Sequence, residues 1–118
     1  QIIPAYFEDE GYAFLYLPVL EKKKYTLEYS IGDEKMPLQV FNDSTYNVYK
    51  VIEQRDVVTI DLRVYGSQTV RVKCKKPSSV ISCKDLVQIR GFEYKDELLI
   101  DVTSVDMQGS SDSIMIKY

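Results

Sequence analysis

The feature that most constrains this chain is a period of two in its apolar residues, recurring in run after run. Val58, Ile60, Leu62 and Val64 alternate with Thr59, Asp61 and Arg63, and Val70, Val72 and Cys74 alternate with Arg71, Lys73 and Lys75. The pattern returns at Val87 and Ile89, at Leu98, Ile100 and Val102, and at Ile114, Ile116 and Tyr118; it is present earlier at Tyr25, Leu27, Tyr29 and Ile31. Successive side chains of a strand point to opposite faces, so each run has one face for a core and one for water, as antiparallel sheets require. Turn residues part the runs at short intervals: Gly32-Asp33-Glu34-Lys35, Asn42-Asp43-Ser44, Gly66-Ser67-Gln68 and Gly109-Ser110-Ser111. The Gly66 turn is read as closing a hairpin between residues 57–65 and 69–75, and the Gly109 turn as joining the last two strands in the same way.

Two stretches need separate treatment. Residues 46–54 have some helical spacing, but their β-branched and aromatic bias favours a strand. Residues 12–17, Tyr-Ala-Phe-Leu-Tyr-Leu, are apolar on both faces, as expected of a central strand or of one that meets a neighbouring domain. No helix, internal repeat or low-complexity segment stands out. Many short strands with close turns predict an all-β, antiparallel β-sandwich of seven to nine strands, one domain over residues 1–118. Only 5 glycines, mostly in turns, disfavour a closed barrel with glycine corners.

Composition excludes more than it selects. The 118 residues include no His, which removes Ser-His-Asp and Cys-His nucleophilic sites, His-ligated zinc and histidine pH switching. A net charge of -3 disfavours a nucleic-acid binder. Neither a phosphate-binding loop nor a dinucleotide fingerprint occurs, and no apolar run reaches the ~18 residues of a membrane helix. No catalytic residue and no cofactor is expected. The chain begins at Gln1 and stops within an alternating run, which suggests a domain excised from a larger protein, with any membrane anchor outside it.

Cys74 and Cys83 flank Lys-Lys-Pro-Ser-Ser-Val-Ile-Ser, and a turn at Pro77 would bring them together. Their bridge would contribute roughly 2–3 kcal/mol by loop closure; the other reading is two free thiols. Asn42-Asp43-Ser44 is an N-glycosylation sequon in a polar turn, with Asn42 as acceptor. Both point to an extracellular or lumenal setting.

Three clusters of side chains are candidate sites. Glu8-Asp9-Glu10, Asp106 and Asp112 could offer hard oxygen ligands to Ca²⁺ or form a solvated acidic end. Arg71, Lys73 and Lys75 share a strand face, about 7 Å apart in a row, suited to a polyanion or glycan or to protecting a sheet edge. Tyrosine is abundant, 10 residues, and combines contact area with a hydroxyl at interfaces. Tyr12, Leu15, Tyr16 and Leu17 are the candidate interaction residues.

The last 25 or so residues, from Tyr94 through Ile100, Asp101, Val102, Asp106 and Gly109 to Ile114 and Ile116, resemble the closing hairpin of immunoglobulin-like extracellular repeats. The resemblance implies an immunoglobulin-like sandwich. Antibody-type domains carry a core Trp and an inter-sheet disulfide; this chain has no Trp, and Cys74 and Cys83 stand too close in sequence for that pair. The expected function is a non-catalytic protein-interaction or adhesion domain of a larger extracytoplasmic or membrane-anchored protein, meeting a protein partner or sibling domains. The alternatives are a structural repeat packing end to end in a scaffold, in an organelle lumen or the cytosol, and a small carbohydrate-binding module.

Overall fold

The computed structural model describes residues 2–3, 5–9, 12–16, 38–42 and 46–118, the first three segments as backbone alone. The strands are β1 (Ile2–Ile3), β2 (Ala5–Asp9), β3 (Tyr12–Tyr16), β4 (Gln39–Phe41), β5 (Tyr46–Glu53), β6 (Val57–Val64), β7 (Ser67–Lys73), β8 (Ser79–Ser82), β9 (Val87–Tyr94), β10 (Leu98–Ser104) and β11 (Ser110–Lys117). The chain is all-β among the described residues. One sheet has the order β1-β5-β6-β11-β8 and the other β3-β2-β4-β7-β10-β9. Pairing is antiparallel except between β2 and β4. From β4 onward, eight strands form two four-stranded sheets packed as a sandwich, and β1 to β3 extend the edges at β5 and β4. The expected strand at Tyr25 to Ile31 and the turn at Gly32 lie outside the described residues.

The alternation expected from the sequence is the alternation of burial. In β6, Val58, Ile60, Leu62 and Val64 are fully buried; Val70 and Val72 of β7, Leu98, Ile100 and Val102 of β10, and Ile114 and Ile116 of β11 join them. Each such side chain contributes roughly 1.5–3 kcal/mol by leaving water. Tyr46, on the strand read with partly helical spacing, is also in the core, with its hydroxyl 3.4 Å from the Arg71 amide that donates to it.

The two expected hairpins are crossovers. β6 and β7 lie in different sheets, as do β10 and β11. A hairpin and a crossover can bury the same alternating side chains, so alternation does not separate them. Ser104 does: its hydroxyl accepts from the Gly66 amide at 2.8 Å, and its own amide donates to the Gly66 carbonyl at 2.9 Å. The turn after β6 is thereby tied to β10 and not to its own strand. Gly66 and Gly109, at the two crossovers, have φ of 73° and 105°, where glycine is favoured. The strand order is accordingly distinct from the A-B-E-D and C-F-G order of constant immunoglobulin domains, although the layered architecture is shared.

The order also corrects the expectation of no internal repeat. Exchanging β4 with β8, β5 with β9, β6 with β10 and β7 with β11 converts one four-stranded order into the other. The registers agree as well. Ile60 faces Ile114 as Ile100 faces Val70; Val58 faces Ile116 as Leu98 faces Val72; Val40 faces Val72 as Val80 faces Ile116. Register shifts interrupt β5–β6 and β9–β10 at matching levels. Side chains follow: Ser113 donates to Asp61 at 2.6 Å, and Thr69 to Asp101 at 2.9 Å. Ile60-Asp61 recurs as Ile100-Asp101, and Ser67 of β7 as Ser111 of β11. Residues 39–73 and 79–117 thus repeat one four-strand order and register, each copy of the arrangement supplying strands to both sheets.

Candidate functional site

The expected site residues scatter. Among the described residues β3 is the last strand of its sheet and pairs with β2, from Asp9 opposite Tyr12 to Ala5 opposite Tyr16. Tyr12, Leu15 and Tyr16 therefore lie at the β3 end of the described strand order, and Leu17 lies outside the described residues. Arg71 and Lys73 share the outer face of β7, with Lys75 beyond its end, but they are not a row of free charges. The Arg71 guanidinium is ion-paired to Glu97 at 2.6 Å and stacks 4.1 Å from the centre of the Phe41 ring. Lys75 sits over the Tyr118 ring at 5.4 Å.

The disulfide is absent: Cys74 is a buried free thiol and Cys83 an exposed one. Cys74 is at the Tyr118 end of β11, where it hydrogen-bonds Tyr118. Cys83 donates its amide to Ser113 at 2.9 Å, past the other end of β8. A four-residue strand spans about 13 Å, beyond the ~7 Å between Cα atoms that a bridge allows. Burial pushes the Cys74 thiol up despite its hydrogen bond to Tyr118, and burial beside Cys74 raises the Tyr118 hydroxyl strongly. Asn42 is half-buried, its Oδ1 accepting from the Val48 amide at 2.6 Å and its Nδ2 donating to the Val48 carbonyl at 3.4 Å. A glycan on Nδ2 would compete with the second contact.

Asp112 has a role that the sequence reading missed. It is 4% exposed, and its carboxylate accepts five hydrogen bonds. Oδ2 takes Ser82 Oγ at 2.7 Å, the Leu86 amide at 2.9 Å and the Val87 amide at 3.0 Å. Oδ1 takes the Lys84 amide at 3.0 Å and the Ser113 amide at 2.7 Å. Burial alone would push its carboxyl up; the bonds from Ser82, Val87, Ser113 and Lys84 outweigh that and hold it below the usual range. With its lone pairs taken, Asp112 is a clamp for the loop 83–86 and not a metal ligand. Asp106 caps its own turn, Oδ1 accepting from the Gln108 amide at 2.9 Å. Among the described residues no three His, Cys, Asp or Glu side chains converge on a metal-sized site.

The clamped loop and the β10–β11 crossover share one end of the sandwich, joined by Val105 donating to the Leu86 carbonyl at 2.9 Å. Three apolar side chains face solvent there: Leu86 at 43%, Val105 at 58% and Met107 at 91% exposed. Arg63 braces the crossover, donating to the Gln108 and Gly109 carbonyls at 3.3 Å. The tip is thus apolar outside and polar within. Polar neighbours in sequence hid it, because Val105 and Met107 each stand alone between polar residues and Leu86 reads as the start of the Val87 strand.

A second feature is a shallow polar recess of about 390 Å³ on the outer face of the other sheet, lined by Ser67, Gln68, Thr69, Arg90, Asp101 and Thr103. Thr69, Asp101 and Gly91 stand side by side on β7, β10 and β9. No family model, curated protein or solved structure matches the chain.

Proposed function

We propose that this chain is a non-catalytic protein-interaction or adhesion domain of a larger extracytoplasmic or membrane-anchored protein. The observation that carries the reading is the loop end: Leu86, Val105 and Met107 project into water from loops held by Asp112, Arg63 and Ser104. Large apolar side chains on a braced loop cost solubility and add nothing to the core, the economy of a contact surface. Bracing also lowers the entropy lost when a partner is met. The extracytoplasmic setting now rests on the sequon at Asn42, since the cysteines are not bridged.

The test replaces Leu86, Val105 and Met107 together by Ser and compares this variant with the wild-type domain, both immobilised, for binding to cells and cell extracts of the source. The expected result is a thermal unfolding midpoint within a few degrees of wild type and loss of the specifically retained partner. Equal retention by both proteins would overturn the reading.

A further inference from the structure

We infer that the recess lined by Thr69, Arg90 and Asp101, beside Gly91, is a saccharide-binding site, separate from the loop end. Its setting shows in the repeated strand order. On the first copy Lys50 stands opposite Asp61, which in turn faces Ser113. On the second copy the matching row is Gly91, Asp101 and Thr69. The hydroxyl-to-carboxylate hydrogen bond is kept and the long side chain is gone. A Cβ added at Gly91 would meet nothing within 4 Å, and its φ is not positive, so neither crowding nor backbone geometry calls for glycine. A glycine within a strand weakens it; here it leaves open space beside a carboxylate.

The walls suit a neutral polyol. Asp101 Oδ1 is engaged by Thr69, while Oδ2 has no protein partner, nor does the Arg90 guanidinium, among the described residues. Arg90 lies next to the register shift that carries it to this face, where it lines the recess. The remaining polar side chains on this face are hydroxyls: Ser67 and Thr103, which share a hydrogen bond at 3.0 Å, and Thr69, while the Gln68 amide donates to the Tyr65 carbonyl at 2.8 Å. One free acceptor, one free donor and hydroxyls that serve as either match the vicinal hydroxyls of a sugar ring, each of which donates and accepts. The single negative and single positive charge cancel, which favours an uncharged ligand over an anion or a cation. The cavity is of a size for one or two sugar rings.

The test uses amide chemical-shift titration of the full chain with glucose, galactose, mannose and N-acetylglucosamine, in wild type and Gly91→Val. For at least one sugar the expected result is a saturable shift confined to residues 67–69, 88–91 and 101–103, with Kd in the millimolar range. Gly91→Val, which sets a branched side chain beside Asp101 at a position with no close neighbours, is expected to unfold at the same temperature or higher and to weaken binding at least tenfold. Three results would overturn the inference: no saturable shift from any of the sugars up to about 50 mM; sugar binding unaffected by Gly91→Val; or shifts of these amides with acetate or n-butylammonium and with none of the sugars. None of these outcomes depends on Leu86, Val105 or Met107, so this site and the loop-end reading fail separately.

Discussion

Replacing Asp112 by Asn tests whether the carboxylate holds the loop end together. The amide keeps one oxygen to accept from two or three of the five donors, according to which oxygen it replaces, but turns an N–H group toward the others, leaving buried backbone amides without an acceptor. Each hydrogen bond to a charged acceptor is worth roughly 1.5–3 kcal/mol, and bonds to one carboxylate are far from additive. With water entering as the loop opens, the expected loss is about 3–5 kcal/mol, a large share of the 5–15 kcal/mol typical of a domain. In urea, with a slope of about 2 kcal/mol/M, the midpoint should fall by roughly 2 M. Because the folded carboxyl is held below its unfolded value of about 3.9, its contribution is full above that pH and is lost as pH falls through the folded value. The gap between wild type and Asp112→Asn should therefore narrow on acidification. Amide exchange should accelerate at Lys84, Leu86 and Val87 ahead of the strands. A loss under about 1 kcal/mol with a gap that does not change with pH would refute the clamp.

Two further outcomes follow from the geometry. Native protein treated with iodoacetamide should be alkylated rapidly at exposed Cys83 and slowly at Cys74, whose thiolate is disfavoured by burial, and denatured non-reduced protein should take two labels; intact mass reads both. Gly109→Ala should cost about 2–4 kcal/mol, because its φ is 105° and a Cβ would lie 2.7 Å from the Tyr65 ring, while Gly66→Ala, with open space, should cost about 1 kcal/mol; thermal unfolding ranks them.

Alternation made the buried face legible: every fully buried aliphatic residue of β6, β7, β10 and β11 was marked by its period-two position. Neighbouring strands were not legible, because the same even-numbered side chains can be buried by a hairpin or by a crossover, and the deciding contact, Gly66 to Ser104, joins residues far apart in the chain. The repeated arrangement escaped for a related reason. Its halves share register and a few residues such as Ile-Asp, but core positions exchange one apolar residue for another, as Val70 and Ile114 do, and most outward positions differ in kind, as Arg63 and Thr103 do. The charged candidates misled because side-chain pairing is set in three dimensions. Arg71 reads as free until Glu97 is placed beside it, and Asp112 reads as a surface acid until five donors surround it. Gly91 carried a legible signal, a glycine inside a strand pattern, whose meaning needed the neighbouring Asp101.

The two crossovers also set a problem for the folding chain. Consecutive strands meet first, and β10 with β11 can form a local hairpin around residues 105–109 long before β11 finds β6. In that hairpin Ile100 would face Ile114 and the apolar sides would agree, so the wrong pairing is a natural early trap on a path whose native contacts are distant in sequence. It would also set Asp112 against Val102 on the apolar side, stripped of Ser82, Lys84, Leu86 and Val87. The carboxylate that stabilises the finished loop end thus penalises the shortcut. Its counterpart in the first copy, at the start of β7, is uncharged, and there the premature β6–β7 hairpin has no such deterrent. Refolding should accordingly be slowed more by errors in the first copy than in the second.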